Sequence, residues 1–371
     1  MRSKQPKKIL VVINNLSFGG AERLVVDQAN CLEELGYAVD VLVILPSLKQ
    51  GFYEDLKLSQ GKLINIDAKG FSLHGIWLIA KLIKGKKYEA IISHLFLANT
   101  LVRLACLLAF RFDKIIAYEH NSYGKEKSFK HFFIDRLLSF LTHKIVAVSE
   151  EVKDYLIEKG ISKHKIVVVQ NGISEDFIKN IPAADDVRGK LGFSEKDILA
   201  VSNGNVNPQK GYETLIAAVG KVVDENPRIH FLICGSDTNE YSRFLKKQAA
   251  LSPYADHVHF LGARHDAKEI VNCADIYVMP SLWEGLSLSL LEALMLGKIV
   301  VVSEIPGMTA LVRDGYNGFT FKTRNAEQLA KIITFVIKHP ADFQSQKSKA
   351  KETGKLYTIE KCVWQLVSLI N

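Results

Sequence analysis

Short apolar runs alternate with helix-period stretches along the whole chain. "KILVVIN" (8–14) has no alternating polar face, so it reads as a strand covered on both sides. "AERLVVDQANCLEELG" (21–36) repeats its apolar residues at helical spacing, and "AVDVLVIL" (38–45) is a second strand. "AIISH" (90–94), "KIIAYEH" (114–120), "KIVAVS" (144–149) and "KIVVVQNGI" (165–173) continue the series. "NIPAADDVRGKLGFSEKD" (180–197) interrupts it, being polar, rich in breakers and barely periodic. Alternation restarts at "ILAVSNG" (198–204) and runs through strands "IHFLICG", "HVHFLG", "DIYVMPS" and "KIVVVS". Helices are predicted over 212–226, up to about 251, and over 266–273, 287–296 and 326–338. "TIEKCVWQLVSLIN" (358–371) is a further amphipathic helix.

Strands alternating with helices predict parallel sheets with crossover helices, an α/β architecture. A chain of 371 residues suits two such domains, each doubly wound and Rossmann-like. The expected division is an N-terminal domain over 1–180, a linker over 181–193, a C-terminal domain over 194–345 and a helical segment over 346–371. Ligands of such sheets bind beyond the carboxyl ends of the strands, so a cleft between the two domains is the expected site.

Apolar content of 48% and charged content of 24% are those of a globular protein. No apolar run approaches the ~18 residues of a membrane span, and "MRSKQPKK" leads directly into a strand, so no signal peptide is expected. Five scattered cysteines argue against a disulfide framework or a zinc site. A cytoplasmic protein is expected. The net charge of +8 is uneven: residues 1–180 hold 26 Lys+Arg against 19 Asp+Glu, the remainder 22 against 21. "KLIKGKKY" (81–88) and "YGKEKSFKHFFIDRLLSFLTHK" (123–144) are the main basic clusters. Lys81, Lys84 and Lys87 fit a helix carboxyl end or an anionic surface. The second cluster interleaves Phe129, Phe132, Phe133, Leu137 and Phe140 with Lys130, Arg136 and Lys144. It is either a core-facing helix or one lying near anionic head groups on the cytoplasmic face of a membrane. No motif for nucleic acid accompanies the charge.

"SLWEGLSLSLLEALMLG" (281–297) places two carboxylates, Glu284 and Glu292, in an otherwise small and apolar run. An ionised carboxylate out of water costs several kcal/mol unless paired. Glu284 precedes the helix, and Glu292 stands about five residues into it, roughly 7–8 Å further along. Gly285 permits close approach, and the amides of Leu286 and Ser287 stand at a positive helix end that favours phosphate. Carboxylates accept from hydroxyl groups, so a ligand with sugars flanking a diphosphate, a nucleotide sugar, fits the layout. Helix capping by Glu284 and a salt bridge for Glu292 are the structural alternative. Gly19 and Gly20 fall between the first strand and first helix, where a diphosphate, a sugar or simply a tight turn would need them. The loop lacks the GxGxxG of a dinucleotide site. His120 ends a strand at the ligand-facing edge, and its neutral imidazole can donate one hydrogen bond and accept another. His94 has the same topological address, and for both a purely structural role stays open.

Glu284 and Glu292 match an EX7E motif, and "PSLWEGLSLSLLEALMLGKIVVVSEIPG" with "FGGAER", "QNGI", "GNVNPQKG", "VHFLG" and "DGYNGF" stands in the order of a known family. The chain resembles the retaining glycosyltransferases of the GT-B fold, family 4. The resemblance implies two Rossmann-like domains facing across a cleft and transfer from a nucleotide sugar, UDP-linked, carrying a hexose or N-acetylhexosamine. It assigns Lys210 to the donor diphosphate, Glu292 to the ribose, Glu284 with Gly285, Leu286 and Ser287 to the sugar and diphosphate, and His120 with Gly19 and Gly20 to the site from the N-terminal domain. Asn205 stands where the family has an arginine, so an amide replaces one arm of a cationic clamp. Arg264 is a candidate to compensate, and Ala310 is a second departure from the pattern. No DxD-like pair stands at the matching strand ends, so neither a metal nor another cofactor is expected. The basic first half points to a glycan or lipid-linked acceptor at a membrane surface, as in cell-envelope polysaccharide synthesis. A sugar-nucleotide epimerase or hydrolase on the same fold, and a non-catalytic binding homologue, are the alternatives.

Overall fold

A strand with no polar face has to be covered on both sides, and both sheets of this protein meet that demand with crossover helices. The structure, a computed structural model, describes residues 6–46, 50–111, 114–121, 129–179 and 181–371. The chain divides into two units, Met1–Ser174 with Thr358–Asn371, and Glu175–Tyr357.

In the first unit, strands β1 (Lys8–Ile13), β2 (Ala38–Val43), β3 (Leu63–Asn65), β4 (Ala90–His94), β5 (Lys114–Glu119), β6 (Lys144–Ala147) and β7 (Ile166–Val168) pair in parallel. Their order is β3-β2-β1-β4-β5-β6-β7. Helices α1 (Gly20–Glu34), α2 (Leu73–Gly85), α3 (Phe96–Leu108), α4 (Phe129–Leu138) and α5 (Glu150–Glu158) lie between them in the chain. Leu10, Val12 and Ile91 of the central strands share one core with Ile79 of α2 and Val102 of α3.

The second unit opens on α6 (Ala184–Lys190). Its strands are β8 (Ile198–Asn203), β9 (Ile229–Cys234), β10 (Val258–Gly262), β11 (Ile276–Met279), β12 (Ile299–Ser303) and β13 (Phe319–Phe321), in parallel order β10-β9-β8-β11-β12-β13. Helices α7 (Tyr212–Glu225), α8 (Glu240–Ala250), α9 (Ala267–Asn272), α10 (Leu288–Met295), α11 (Pro306–Thr309), α12 (Ala326–Lys338) and α13 (Gln344–Gly354) complete it. Phe231, Val278 and Val301 pack with Leu215 of α7 and Ile333 of α12. The last helix, α14 (Ile359–Ile370), belongs to the first unit and lies on α1.

The doubly wound reading therefore describes both sheets, while three expectations change. Residues 181–193 were expected as a linker, yet α6 occupies most of that span. Two adjacent buried side chains anchor it, Val187 and Arg188, and Arg188 donates to Asp275 at 2.6 Å and to the Cys273 carbonyl at 2.9 Å. A short polar helix with a single buried apolar residue has no apolar period to reveal it. The division also falls after Ser174 rather than after residue 180. Finally, the expected C-terminal segment 346–371 is split. Polar α13 stays with the second unit, whereas a bridge between Ile173 and Thr358 returns the chain to the first.

Helix α4 has an inward face, with Leu138 and Asp135 buried, but several of its apolar side chains point to solvent. Its Asp135 is buried against the Arg103 guanidinium of α3 at 2.9 Å, and Arg103 also donates to Thr142. Phe133, Leu137 and nearby Phe140 are 62%, 58% and 78% exposed. Residues 123–128 of this basic cluster lie outside the described residues.

The contact of α14 with α1 rests on buried Cys362, Val363, Leu366 and Ile370, while Trp364 on the same helix faces solvent. Leu366→Ala should lower the stability of the first unit by about 2–5 kcal/mol in denaturant titration, the range for a truncated core leucine. Trp364→Ala should stay within about 0.5 kcal/mol of the parent.

Candidate active site at the strand ends

Where successive crossovers leave a parallel sheet to opposite faces, the loops beyond two adjacent strands part and leave room for a ligand. In the second unit this reversal lies between β8 and β11. The loop after β8 carries Gly204, Asn205 and Lys210, and the loop after β11 carries Glu284 and Gly285.

The two loops are tied together by backbone and side chain. Leu282 N–H donates to the Gln209 carbonyl at 2.7 Å, and Gln209 Nε2 donates to the Trp283 carbonyl at 3.0 Å. Gly211 adopts φ +61° and ψ 28°, a left-handed turn that starts α7, and its missing side chain leaves room for the Pro280 carbonyl. Gly204 similarly leaves space for the aliphatic end of Lys210.

This framework brings Lys210 and Glu284 into direct contact. Lys210 Nζ donates to Glu284 Oε1 at 2.6 Å, and both side chains are largely buried. Ser281 Oγ, wholly buried, donates to the same oxygen at 2.9 Å. Glu284 Oε2 takes no hydrogen bond from the described residues. The carboxylate in the apolar run is thus neutralised by an ion pair from the neighbouring loop. It does not cap α10, because Ser287 holds the N-cap and accepts from Leu290 N–H at 3.4 Å. Glu292 lies one turn into α10, half-buried, with Asn203 Nδ2 at 3.5 Å from its Oε2. Leu286 and Ser287 are buried, and Gly307 of α11 packs so closely on the carbonyls of Glu284 and Gly285 that a Cβ there would collide.

Asn205 has a structural partner: its Oδ1 accepts from Ser236 N–H at 3.0 Å, fastening the β8 loop to the residue after Gly235. Arg264, the candidate to compensate for the missing arginine, already has an acidic partner. It lies beyond β10, at the far edge of the sheet from β11, and its guanidinium forks onto Asp266 with two bonds of 2.7 Å. Ala310 caps the end of α11 and is exposed. Among the described residues, no group of three or more His, Cys, Asp or Glu side chains is arranged to hold a metal ion.

The first unit has its reversal between β1 and β4. Gly19 is the N-cap of α1 in extended conformation, Gly20 begins the helix, and the Glu22 side chain folds over Gly19. Burial pushes the Glu22 carboxyl up to about 7. His94 ends β4 and His120 follows β5, with His94 Nδ1 at 3.1 Å from His120 Nε2. Burial pulls the His120 imidazole down to about 4 and His94 well below the usual range, where His120 adds to the effect. The glycine loop and His120 stand two strands apart, roughly 10 Å at ordinary strand spacing. The residues that sequence reasoning missed are Ser281, Gln209, Asn203 and Gly307. Ser281 and Gly307 lay inside the quoted run, but their roles depend on partners in other loops.

The comparisons with known proteins agree with this architecture. The family Glycosyltransferase Family 4 matches residues 18–177, and Glycosyl transferases group 1 matches residues 184–355. The UDP-Gal:alpha-D-GlcNAc-diphosphoundecaprenol alpha-1,3-galactosyltransferase of Escherichia coli is 27% identical over 276 residues, covering 69% of this chain and 68% of its own. The N,N'-diacetylbacillosaminyl-diphospho-undecaprenol alpha-1,3-N-acetylgalactosaminyltransferase of Campylobacter jejuni is 27% identical over 288 residues, covering 71% and 72%. Among solved structures, Anabaena HepE in complex with UDP and glucose has a TM-score of 0.85 at 20% identity over 98% of each chain, a likeness of fold. With one family matching each half and both sheets wound in the expected order, the chain belongs to the family 4 glycosyltransferases of the GT-B fold.

Proposed function

We propose that this protein is a retaining, metal-independent glycosyltransferase. It moves a hexose or N-acetylhexosamine from a UDP-linked donor to a glycan or lipid-linked acceptor in cell-envelope polysaccharide or glycoconjugate synthesis. The observation that carries this reading is the Lys210–Glu284 pair at the strand reversal of the second sheet. An ammonium has three donors, and Glu284 occupies one, so Lys210 can hold the carboxylate and still meet a phosphate oxygen. Glu284 Oε2 is then the acceptor for a sugar hydroxyl, Glu292 for the ribose, and Gly285, Leu286 and Ser287 line the start of α10 beside the diphosphate. Gly19, Gly20 and His120 keep the roles that the family resemblance implies. The bond from the anomeric carbon to the diphosphate breaks, a bond to the acceptor oxygen forms on the same face, and the acceptor's proton leaves with the nucleotide. Lys210 stabilises the departing charge. The E. coli and C. jejuni relatives, by their names, act on diphosphoundecaprenol-linked sugars, which supports a lipid-linked acceptor.

Membrane-surface binding is part of the same proposal. The exposed Phe133, Leu137 and Phe140 beside Arg136 form an apolar face with basic company, the pattern of a helix lying in the head-group layer. Among the described residues no helix is long and apolar enough to cross a membrane.

Incubation with nucleotide sugars and a lipid-linked acceptor separates transfer from acceptor-free turnover, which would mark an epimerase or hydrolase, and from inertness, which would mark a binding homologue. Lys210→Ala should reduce transfer by roughly 10²–10³-fold. It should also lower stability by about 3–5 kcal/mol, because Glu284 is left buried and unpaired. Adding Glu284→Gln should recover much of that stability but none of the activity. Parent-rate transfer by a folded Lys210→Ala protein would refute the assignment.

Glu292→Gln should weaken donor binding by about 1–3 kcal/mol in calorimetry, the range for a charged hydrogen bond. Unchanged affinity would remove Glu292 from the ribose site.

Flotation with anionic vesicles should retain the protein at low salt and release it as the screening length falls to about 10 Å at 0.1 M. Changing Phe133, Leu137 and Phe140 together to serine should abolish retention even at low salt. Equal binding to neutral and anionic vesicles would sink the electrostatic half of the idea.

A further inference from the structure

His94 has no role in the reading above, yet it is the most enclosed titratable group beside His120. Its side chain is fully buried, whereas His120 keeps 8% of its surface exposed. Tyr118 stacks on the His94 ring at 4.5 Å between centroids and 18° between planes. The Tyr118 hydroxyl in turn accepts from Gln28 Nε2 at 3.1 Å, so the His94 ring is packed against a side chain that is itself held.

The hydrogen bond between the two imidazoles can run either way. If His120 Nε2–H donates to His94 Nδ1, the proton of His94 sits on Nε2. That nitrogen is buried and has no hydrogen-bond partner among the described residues. This arrangement leaves an orphaned buried N–H. If His94 Nδ1–H donates instead, His94 Nε2 carries only a lone pair. Orphaned buried N–H groups are rarer than under-satisfied acceptors, so the second direction is favoured. His120 then accepts on Nε2 and must carry its own proton on Nδ1. Burial holds both rings neutral near pH 7, so neither tautomer is blurred by a second proton.

We propose that His94 is a positioning residue that donates from Nδ1 to His120 Nε2 and thereby fixes His120 as an Nδ1–H donor toward an oxygen of the bound sugar. The proposal rests on the reading of His120 as a sugar contact, and its role is to choose which His120 nitrogen can meet the ligand. A merely space-filling His94 would leave that choice open.

The test reads the tautomer directly. Long-range ¹H–¹⁵N correlation spectra of protein labelled at the histidine rings distinguish Nδ1–H from Nε2–H, with His94 and His120 assigned by their substitution. In the native protein both rings should carry the proton on Nδ1. An Nε2–H tautomer for His120 overturns the proposal with no variant needed. His94→Phe keeps an aromatic ring against Tyr118 but removes the donor. It should release His120 toward the Nε2–H form and lower transfer about tenfold, the scale of one hydrogen bond. His94→Asn, whose amide N–H stands near the position of Nδ1, should restore both. An unchanged His120 tautomer in His94→Phe also overturns the proposal. Parent-rate transfer by His120→Ala would instead remove His120 from the sugar site, and the spectra distinguish that failure from a wrong bond direction.

Discussion

A strand in a parallel sheet cannot turn back on itself; its chain has to leave the far end, cross a face and re-enter at the near end. The placement of the loops that carry Lys210, Glu284 and His94 follows from that constraint. All strands of a unit end at one edge, and where the crossovers change face two neighbouring loops are forced apart. The second sheet has that reversal between β8 and β11, and Lys210 and Glu284 stand on those two loops. The first sheet has it between β1 and β4, the strands that lead to the glycine loop and His94.

The ion pair at the second reversal shows how a buried charge is made tolerable. Glu284 is shielded from water, and an ionised carboxylate taken out of water costs several kcal/mol unless it is paired. Lys210 and Ser281 both bind one oxygen and compensate that loss. The remaining oxygen keeps its capacity to accept.

The histidine pair and α4 show neighbours deciding what a side chain does. A single imidazole has two tautomers, and the 3.1 Å approach of His94 Nδ1 to His120 Nε2 requires that only one of those two nitrogens carry the shared proton. In α4, Asp135 faces inward onto Arg103 of α3 while Phe133 and Leu137 face out, as does Phe140 just beyond the helix. The exposed Phe133 and Leu137 are a departure from the ordinary rule that places large apolar side chains inside.

Most strands and the helices α1, α7, α10, α12 and α14 were legible in the sequence, because a run such as "ILVVI" admits few alternatives and a 3.6-residue period is local information, whereas α2 and α3 went unassigned. The identity of the loops was legible for the same reason, since Gly19, Lys210, Glu284 and His120 all follow recognisable strands. Three-residue edge strands such as β3 escaped, being too short to show a period, and α6 escaped because Val187 is its single buried apolar residue and a buried arginine does the rest. Partnership was beyond reach. Lys210 and Glu284 are 74 residues apart, and His94 and His120 are 26 apart. Nothing in the local pattern says that Glu284 takes its cation from the β8 loop, that Asn205 fastens a loop to Ser236, or that Arg264 is already committed to Asp266. The sequence by itself determined where strands end and which chemical groups stand there. Only the tertiary structure decided which of those groups meet, because sheet order brings β8 beside β11 and β4 beside β5, and a hydrogen bond is settled within about 3 Å.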